Sequence, residues 1–407
     1  MTVPAAHRPH RLALLQTTLV STAFAMQLVA SNAINPLLPV YREQLGLSAV
    51  LLSMTFVLYV GTLVIGLTLL ARPRFARHAP VLMLLSLLAL GASDLLAIQP
   101  DAASILASRV LVGVAGGLGT GAASALVVGA IGAAGRSVTA TGNLTGAVFG
   151  MVGAQLLVST VGADAPRLVF LAHAAITVTI LVALAIVLVL RRRANARSLE
   201  HQSGAVELRP TRRLRLRSGT LRLLVTGSIA WIGSSIGVVF SATVFAELGQ
   251  PVVQAVGPAL LLIASAGGQL LTPVLTRIAP WISGMLVLAV GSAGVAVGAM
   301  VVAPALALAG FTLLGAGTGI GYRAALVAFT RGAGTAQQGA LASAYGAVTY
   351  TAAASAALTV GWLSDVLGFG PTAAWMFGVL AVLALVALRW APRLRDTVEP
   401  GSSPIRG

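Results

Sequence analysis

The chain has 407 residues, 57% of them hydrophobic and only 9% charged, with a mean hydropathy of +0.94; soluble domains carry about 25% charged residues, so this composition excludes a water-soluble fold. The net charge of +16 comes entirely from Arg. These Arg gather in short loops and one central stretch rather than along a groove, which excludes a nucleic-acid reading, and the absence of Cys excludes disulfides and thiolate metal sites.

The relevant unit is the apolar run of about 20 residues that crosses a hydrocarbon core about 30 Å thick. Such runs fall near 12–34, 48–70, 80–99, 103–130, 138–161 and 167–190, and after a polar stretch near 220–245, 253–276, 281–302, 304–329, 336–362 and 371–391. They lack the period-two alternation of barrel strands, so helices are expected. The expectation is an all-α integral membrane protein of twelve transmembrane helices in two six-helix pseudo-repeats. The first bundle spans 1–190, a cytoplasmic linker 191–219 and the second bundle 220–407.

The first run carries Gln27, Asn32 and Asn35, with Pro36 and Pro39 ending it. Amides beside a helix break bind substrate without titrating, or bond neighbouring helices. His7, Arg8, His10 and Arg11 ahead of Ala23-Phe24-Ala25 also fit a cleavable signal peptide, but the second half has six runs and the first needs this one to match. Between runs two and three stands Arg74-Phe75-Ala76-Arg77-His78.

The third run holds Asp94, the one acid well inside a run, and the fourth holds Arg109. Arg near the bilayer centre costs roughly 2.5–3.5 kcal/mol on insertion scales, so Arg109 is expected to face a wet cavity, where it holds an anionic group or tunes a proton site. The alternative is a structural Arg paired with Asp94 or with helix-end carbonyls. Asp94 is correspondingly either a proton-carrying carboxylate or that partner. Gly113, Gly117 and Gly121 recur at four-residue spacing, as do Gly142, Gly146 and Gly150; such stripes let helices approach closely. Gln155 follows in run five. His173 in run six titrates in the useful range or simply packs.

The Arg-rich stretch from Arg191 to Arg222 is the one long hydrophilic segment, and its composition gives no reason to expect a folded domain. In run seven, Gly233-Ser-Ser235-Ile-Gly237 satisfies a nucleophile-elbow pattern without the strand–turn–helix context that pattern needs. Gln269 lies in run eight. Run ten contains Gly315-Ala-Gly-Thr-Gly-Ile-Gly321, which lacks the preceding strand and following Lys of a phosphate loop. Next to it, Arg323 either snorkels to the interface or lines a path with Arg109 suited to an anion. No cofactor and no metal site is expected, and the chain is read as a non-enzyme.

Placing the N-terminus inside puts 22 Arg on the cytoplasmic side and only Arg42 and Arg167 opposite. That bias predicts a multi-pass protein of a bacterial-type inner membrane with both termini cytoplasmic. Shifting the chain by 202 superposes Gly66 on Gly268, Gly113 on Gly315, Gly117 on Gly319, Gly119 on Gly321 and Gly132 on Gly334, the mark of an internal repeat.

Two six-helix halves in one orientation, joined by a cytoplasmic linker, resemble the major facilitator superfamily. Arg109-Val-Leu-Val-Gly113 is similar to that family's fourth-helix Arg-x-x-x-Gly motif. The Arg74–His78 segment resembles the tail of its Asp-Arg-x-Gly-Arg-Arg loop, with Pro73 in place of the acid and Ala76 in place of Gly. The Gly142–Gly150 stripe resembles the antiporter motif of its drug exporters, with Ala147 where Pro belongs and Met151 for the last Gly. The resemblance implies alternating access by a secondary transporter, with Arg109 facing the cavity and Arg74 and Arg77 in a conformational loop. Proton-linked export of a metabolite or drug-like compound is the leading expectation; uptake of a small organic anion is the alternative. The implied partners are the lipid bilayer, a small-molecule substrate and protons, with the chain working as a monomer.

Overall fold

A computed structural model describes residues 11–70, 73–131, 135–196, 219–331 and 335–397. Twelve long helices occupy them: α1 (Arg11–Ala33), α2 (Ala49–Leu70), α3 (Ala79–Ala97), α4 (Ala102–Ile131), α5 (Gly135–Val161), α6 (Ala165–Ala196), α7 (Thr220–Glu247), α8 (Pro251–Leu270), α9 (Gly284–Met300), α10 (Pro304–Thr330), α11 (Thr335–Leu367) and α12 (Phe369–Ala387). Among the described residues, nine helical stretches are long and apolar enough to cross a membrane, one of them taking in parts of both α5 and α6. Large apolar side chains such as Leu69, Leu88, Leu156, Val182 and Val382 stand exposed on the outside of the bundle, as lipid rather than water requires.

Local chemistry sets the helix ends. Pro80, Pro251 and Pro304 open α3, α8 and α10, where a missing N–H costs nothing and φ is already helical. After α1 the chain makes a 3-10 turn at Asn35–Leu37 and a short helix at Leu38–Leu45. Gly46, at φ 63, ends that helix in the left-handed region that a side chain disfavours. Asp101 accepts from the backbone N–H of Ser104 at 2.8 Å at the start of α4, and hydrogen bonds from Ser104 hold its carboxyl below the usual carboxylate range. The helix α6 continues to Ala196, past the expected boundary at 190; residues 197–218 of the expected linker lie outside the described residues.

The two halves repeat one packing scheme. In the first, α1 lies on α5, α2 on α4, and α3 on both α4 and α6; in the second, α7 lies on α11, α8 on α10, and α9 on both α10 and α12. The repeated glycines mark the same crossing in each half. A Cβ on Gly66 of α2 would meet Gly117 Cα of α4 at 2.8 Å, and one on Gly268 of α8 would meet the Ala316 carbonyl of α10 at 2.8 Å. Backbone sits where a side chain would stand, so the pairs Gly66/Gly268, Gly113/Gly315 and Gly117/Gly319 are a steric requirement of the α2–α4 and α8–α10 contacts; Gly119 and Gly321 face Gln27 and Met285 instead, and Gly132 and Gly334 lie outside the described residues.

The halves meet along α2–α11 and, less extensively, α5–α8. At the face carrying residues 34–48 they are also joined by polar groups. Asp365, near the end of α11, accepts from the backbone N–H groups of Ala49 at 2.6 Å and Val50 at 3.0 Å, the first residues of α2. Arg42 pairs with Glu247 at the end of α7 and stands over the Phe369 ring, 4.5 Å from its centroid.

Candidate functional site

Where the halves meet in mid-bundle lies a cavity of about 210 Å³. From the first half it is lined by Ser31 and Asn32 of α1, Asn35, Phe56 and Tyr59 of α2, and Ala147 of α5. The second half contributes Trp231, Ser234 and Ser235 of α7, Ser265 and Gln269 of α8, Tyr322 of α10 and Tyr350 of α11. A second space of about 100 Å³ shares Leu28, Tyr59 and Tyr350 with it and extends past Gln27 toward Leu67 and Thr120. That path runs away from the 34–48 face. Tyr59 and Tyr350, from opposite halves, stand at the neck between the two spaces.

The lining is aromatic and amide-rich, and among the described residues it contains no carboxylate, imidazole or guanidinium. Trp231 is the hub of the aromatic wall. Its ring lies 5.0 Å from Tyr322 and 4.9 Å from Tyr350, the latter edge-on at 78°, and Tyr345 continues the cluster 5.1 Å behind Tyr322. Offset and edge-on arrangements of this kind suit ring quadrupoles. The buried Trp231 Nε1–H has no protein acceptor. A buried unpaired donor is costly.

The predicted residues divide into three groups. Asn32, Asn35 and Gln269 line the main cavity. Asn32 Nδ2 donates to the Leu28 carbonyl at 2.9 Å and Asn35 Nδ2 to the Asn32 carbonyl at 3.1 Å. Both amides thus brace the end of α1 while facing the cavity. Gln27 lines the second space and ties helices together: its Nε2 donates to Ser86 Oγ at 2.6 Å, which donates to the Ala115 carbonyl at 2.7 Å. Gln27 thus bonds neighbouring helices, while Asn32, Asn35 and Gln269 line the cavity.

Arg109 departs from expectation. It is 2% exposed and is not part of the cavity lining. Its Nε donates to the Thr55 carbonyl at 3.0 Å, Nη1 to Ala30 at 3.3 Å and Nη2 to Ser31 at 3.2 Å. The guanidinium also stands 5.2 Å from the centroid of Tyr59. A group with five donors and no acceptor, enclosed by helices, takes the second lone pairs of carbonyls from α1 and α2. Its partners are thus two carbonyls in the last turn of α1 and one carbonyl within α2, and not Asp94. Arg323 is likewise absent from the lining and donates through Nη1 to the Gln269 carbonyl at 2.7 Å, so the two Arg form no continuous cationic path through the cavity.

Asp94 and His173 form a buried pair that the sequence did not join. Asp94 is 1% and His173 4% exposed. His173 Nδ1 lies 2.8 Å from Asp94 Oδ2, and its Nε2 lies 3.0 Å from the Met26 carbonyl of α1. The packing of α6 on α3 brings together residues that are 79 apart in the chain, so Asp94 finds an imidazole and not Arg109. Gln155 does not reach the cavity: its Nε2 is 3.3 Å from Ser159 Oγ on its own helix. Arg77, in the 3-10 turn Pro73–His78, is exposed and donates to His78 Nε2 at 3.0 Å; the side chain of Arg74 lies outside the described residues.

Sequence reasoning missed Trp231, Tyr59 and Tyr350, and it set Ser235 aside with the nucleophile pattern. Their signal was weak but present: five Tyr and five Trp in the whole chain, several of them inside apolar helices where a polar tip needs a reason.

The profile of the Major Facilitator Superfamily matches residues 19–358. Among solved structures, a bacterial homologue of the human lysosomal transporter Spinster, in an inward-facing and occupied conformation, matches with a TM-score of 0.68 at 12% identity, covering 97% of this chain and 100% of its own. A D-xylose–proton symporter matches with a TM-score of 0.66 at 14% identity, covering 95% and 99%. The nucleoside transporter NupG matches with a TM-score of 0.67 at 13% identity, covering 94% and 99%. At these identities the likeness is one of fold. A comparison with curated proteins found no match.

Proposed function

Because the chain belongs to the major facilitator superfamily, a family of membrane transporters, we propose that it moves an uncharged, amphipathic small molecule with a planar face by alternating access, exporting it against protons. The single observation that carries the substrate class is the composition of the cavity. Trp231, Tyr322 and Tyr350 offer ring faces and edges, while Asn32, Asn35 and Gln269 offer amide groups for directional hydrogen bonds. Apolar walls with a few placed polar groups are what small-molecule sites need. An organic anion would want a cation in the lining, and Arg109 and Arg323 are both turned to backbone carbonyls.

The position of the cavity between two bundles that repeat one packing scheme supports alternating access. The Arg bias puts the 34–48 face outside and both termini in the cytoplasm. The Asp365–α2 and Arg42–Glu247 contacts then close the outer side, and the second space leads toward the cytoplasm, so the described state loads substrate from within. The test is a panel of neutral aromatic and glycoside-like compounds in inverted membrane vesicles, with and without an imposed pH gradient. Export by antiport concentrates a substrate inside the vesicles only with the gradient. A panel transported equally without it refutes proton linkage, and transport restricted to organic anions refutes the substrate class.

A further inference from the structure

We infer that Asp94, His173 and the Met26 carbonyl form the coupling proton site, placed away from the substrate cavity and acting on it through α1. The coupling role rests on the transport reading above; the proton site itself rests on geometry.

The argument is a count of protons. The Met26 carbonyl can only accept, so the 3.0 Å contact needs a proton on His173 Nε2. The 2.8 Å contact between Nδ1 and Asp94 Oδ2 needs a second proton, held on the imidazole facing a carboxylate or on the carboxyl facing a neutral ring. Either arrangement is net neutral, which suits a pair this deeply enclosed. Remove one proton and a single N–H must serve two acceptors on opposite sides of the ring. The carboxylate, now the only net charge, takes it through Nδ1, because an uncompensated buried anion costs more than a lost neutral hydrogen bond. Nε2 then presents a lone pair to the Met26 carbonyl, and the tie between α6 and α1 breaks. The proton leaves to water, and rebinding restores the tie.

What that tie controls is on the same helix. Met26 lies two residues before Leu28 and one to two turns before Ser31 and Asn32, and all three line the cavity. Arg109 holds α1 at the next carbonyls, Ala30 and Ser31. Releasing Met26 therefore frees α1 below an anchor that cannot titrate. Few other groups compete for the proton. Besides Arg109, α4 carries no charged residue; α3 carries none beyond Asp94, α1 only Arg11 at its start, and α5 only Arg136. On α6 itself, Arg167 is exposed and precedes His173 by six residues, Asp164 lies before the helix start, and Arg191–Arg193 sit at its far end. Tyr41, from the helix after α1, uses its hydroxyl on the Ala97 carbonyl at 2.9 Å, one turn from Asp94.

The test is a pH titration of the imidazole nitrogens by ¹⁵N NMR, on the purified full chain in lipid nanodiscs. The chain has five His, and a His173→Gln variant assigns the resonance. Loss of one proton as the pH is raised is expected to leave Nε2 bare. In Asp94→Asn the amide donates to Nδ1, both contacts survive with a neutral ring, and the bare nitrogen becomes Nδ1 at every pH above the transition. A wild-type His173 whose nitrogens do not titrate, or that keeps the same tautomer in Asp94→Asn, overturns the proton site. The vesicle assay supplies the second readout. Asp94→Asn should retain substrate exchange and lose gradient-driven accumulation, and gradient-driven accumulation that survives overturns the coupling role. Since the titration uses no substrate, the expected tautomer switch in a chain that transports nothing supports the proton site and counts against the transport reading instead.

Discussion

The Asp365 contact offers the most direct test of how the face carrying residues 34–48 is closed. Asp365 belongs to the second half, yet its two carboxylate oxygens take the N–H groups of Ala49 and Val50, at the start of a helix in the first half. It performs for α2 the service of an N-cap, but across the interface, so its contribution disappears whenever the halves separate at this face. Removing a capping oxygen costs about 0.5–2 kcal/mol, and a carboxylate at a helix N-terminus adds about 0.3–1 kcal/mol. The site is exposed, so solvent screening brings the sum toward the lower part of that range, about 1–2 kcal/mol. Because the interaction exists in one state only, all of it enters the equilibrium between states, a factor of roughly 5–30. Asp365→Ala should shift the population toward a form open at this face by that factor, and Asp365→Asn by less, since one amide oxygen still accepts. The natural absence of Cys makes the assay clean: spin labels on Glu43→Cys and Val366→Cys, both exposed positions on opposite halves, report the separation directly by pulsed electron resonance. An unchanged distance distribution in Asp365→Ala would refute the reasoning, as would an equal shift in Asp365→Asn.

Other expectations follow from the same geometry. A reporter fused at Ser203 should read cytoplasmic and one after Asp164 external; the same side for both breaks the six-plus-six topology. Arg109→Lys should lower thermal stability of the purified protein, because a single ammonium cannot reach carbonyls on both α1 and α2 as the planar fork does, and each charge-assisted bond lost is worth about 1.5–3 kcal/mol; an unchanged melting temperature would contradict this. Trp231→Ala should raise the KM for a transported aromatic compound roughly 2- to 10-fold, the equivalent of the about 0.5–1.5 kcal/mol of one aromatic contact, while Gln155→Ala leaves it unchanged. Equal effects of the two substitutions would place the substrate elsewhere.

Membership in the fold was written in the chain. Twelve apolar runs are long enough to satisfy their own backbone in lipid, and a helix does so from local bonds alone, so span number and class need no tertiary information. The repeated glycines at 66, 113 and 117 and at 268, 315 and 319 were legible too, because backbone contact between helices tolerates no other residue there. The site was legible only in part. Asn32, Asn35 and Gln269 were found because a polar amide in an apolar run stands out against its neighbours. Which residue meets which was not legible. Asp94 pairs with His173 because α6 packs on α3 and brings the imidazole within 2.8 Å, while Arg109 is bonded to carbonyls of α1 and α2. Arg109 turns from the cavity because carbonyls of α1 and α2 lie within its reach. Trp231, Tyr322 and Tyr350 become one wall only when α7, α10 and α11 converge. Helix formation is decided by residues within a few positions of each other, while a binding site between two bundles is decided by side chains more than a hundred residues apart, whose meeting depends on packing that no local pattern encodes.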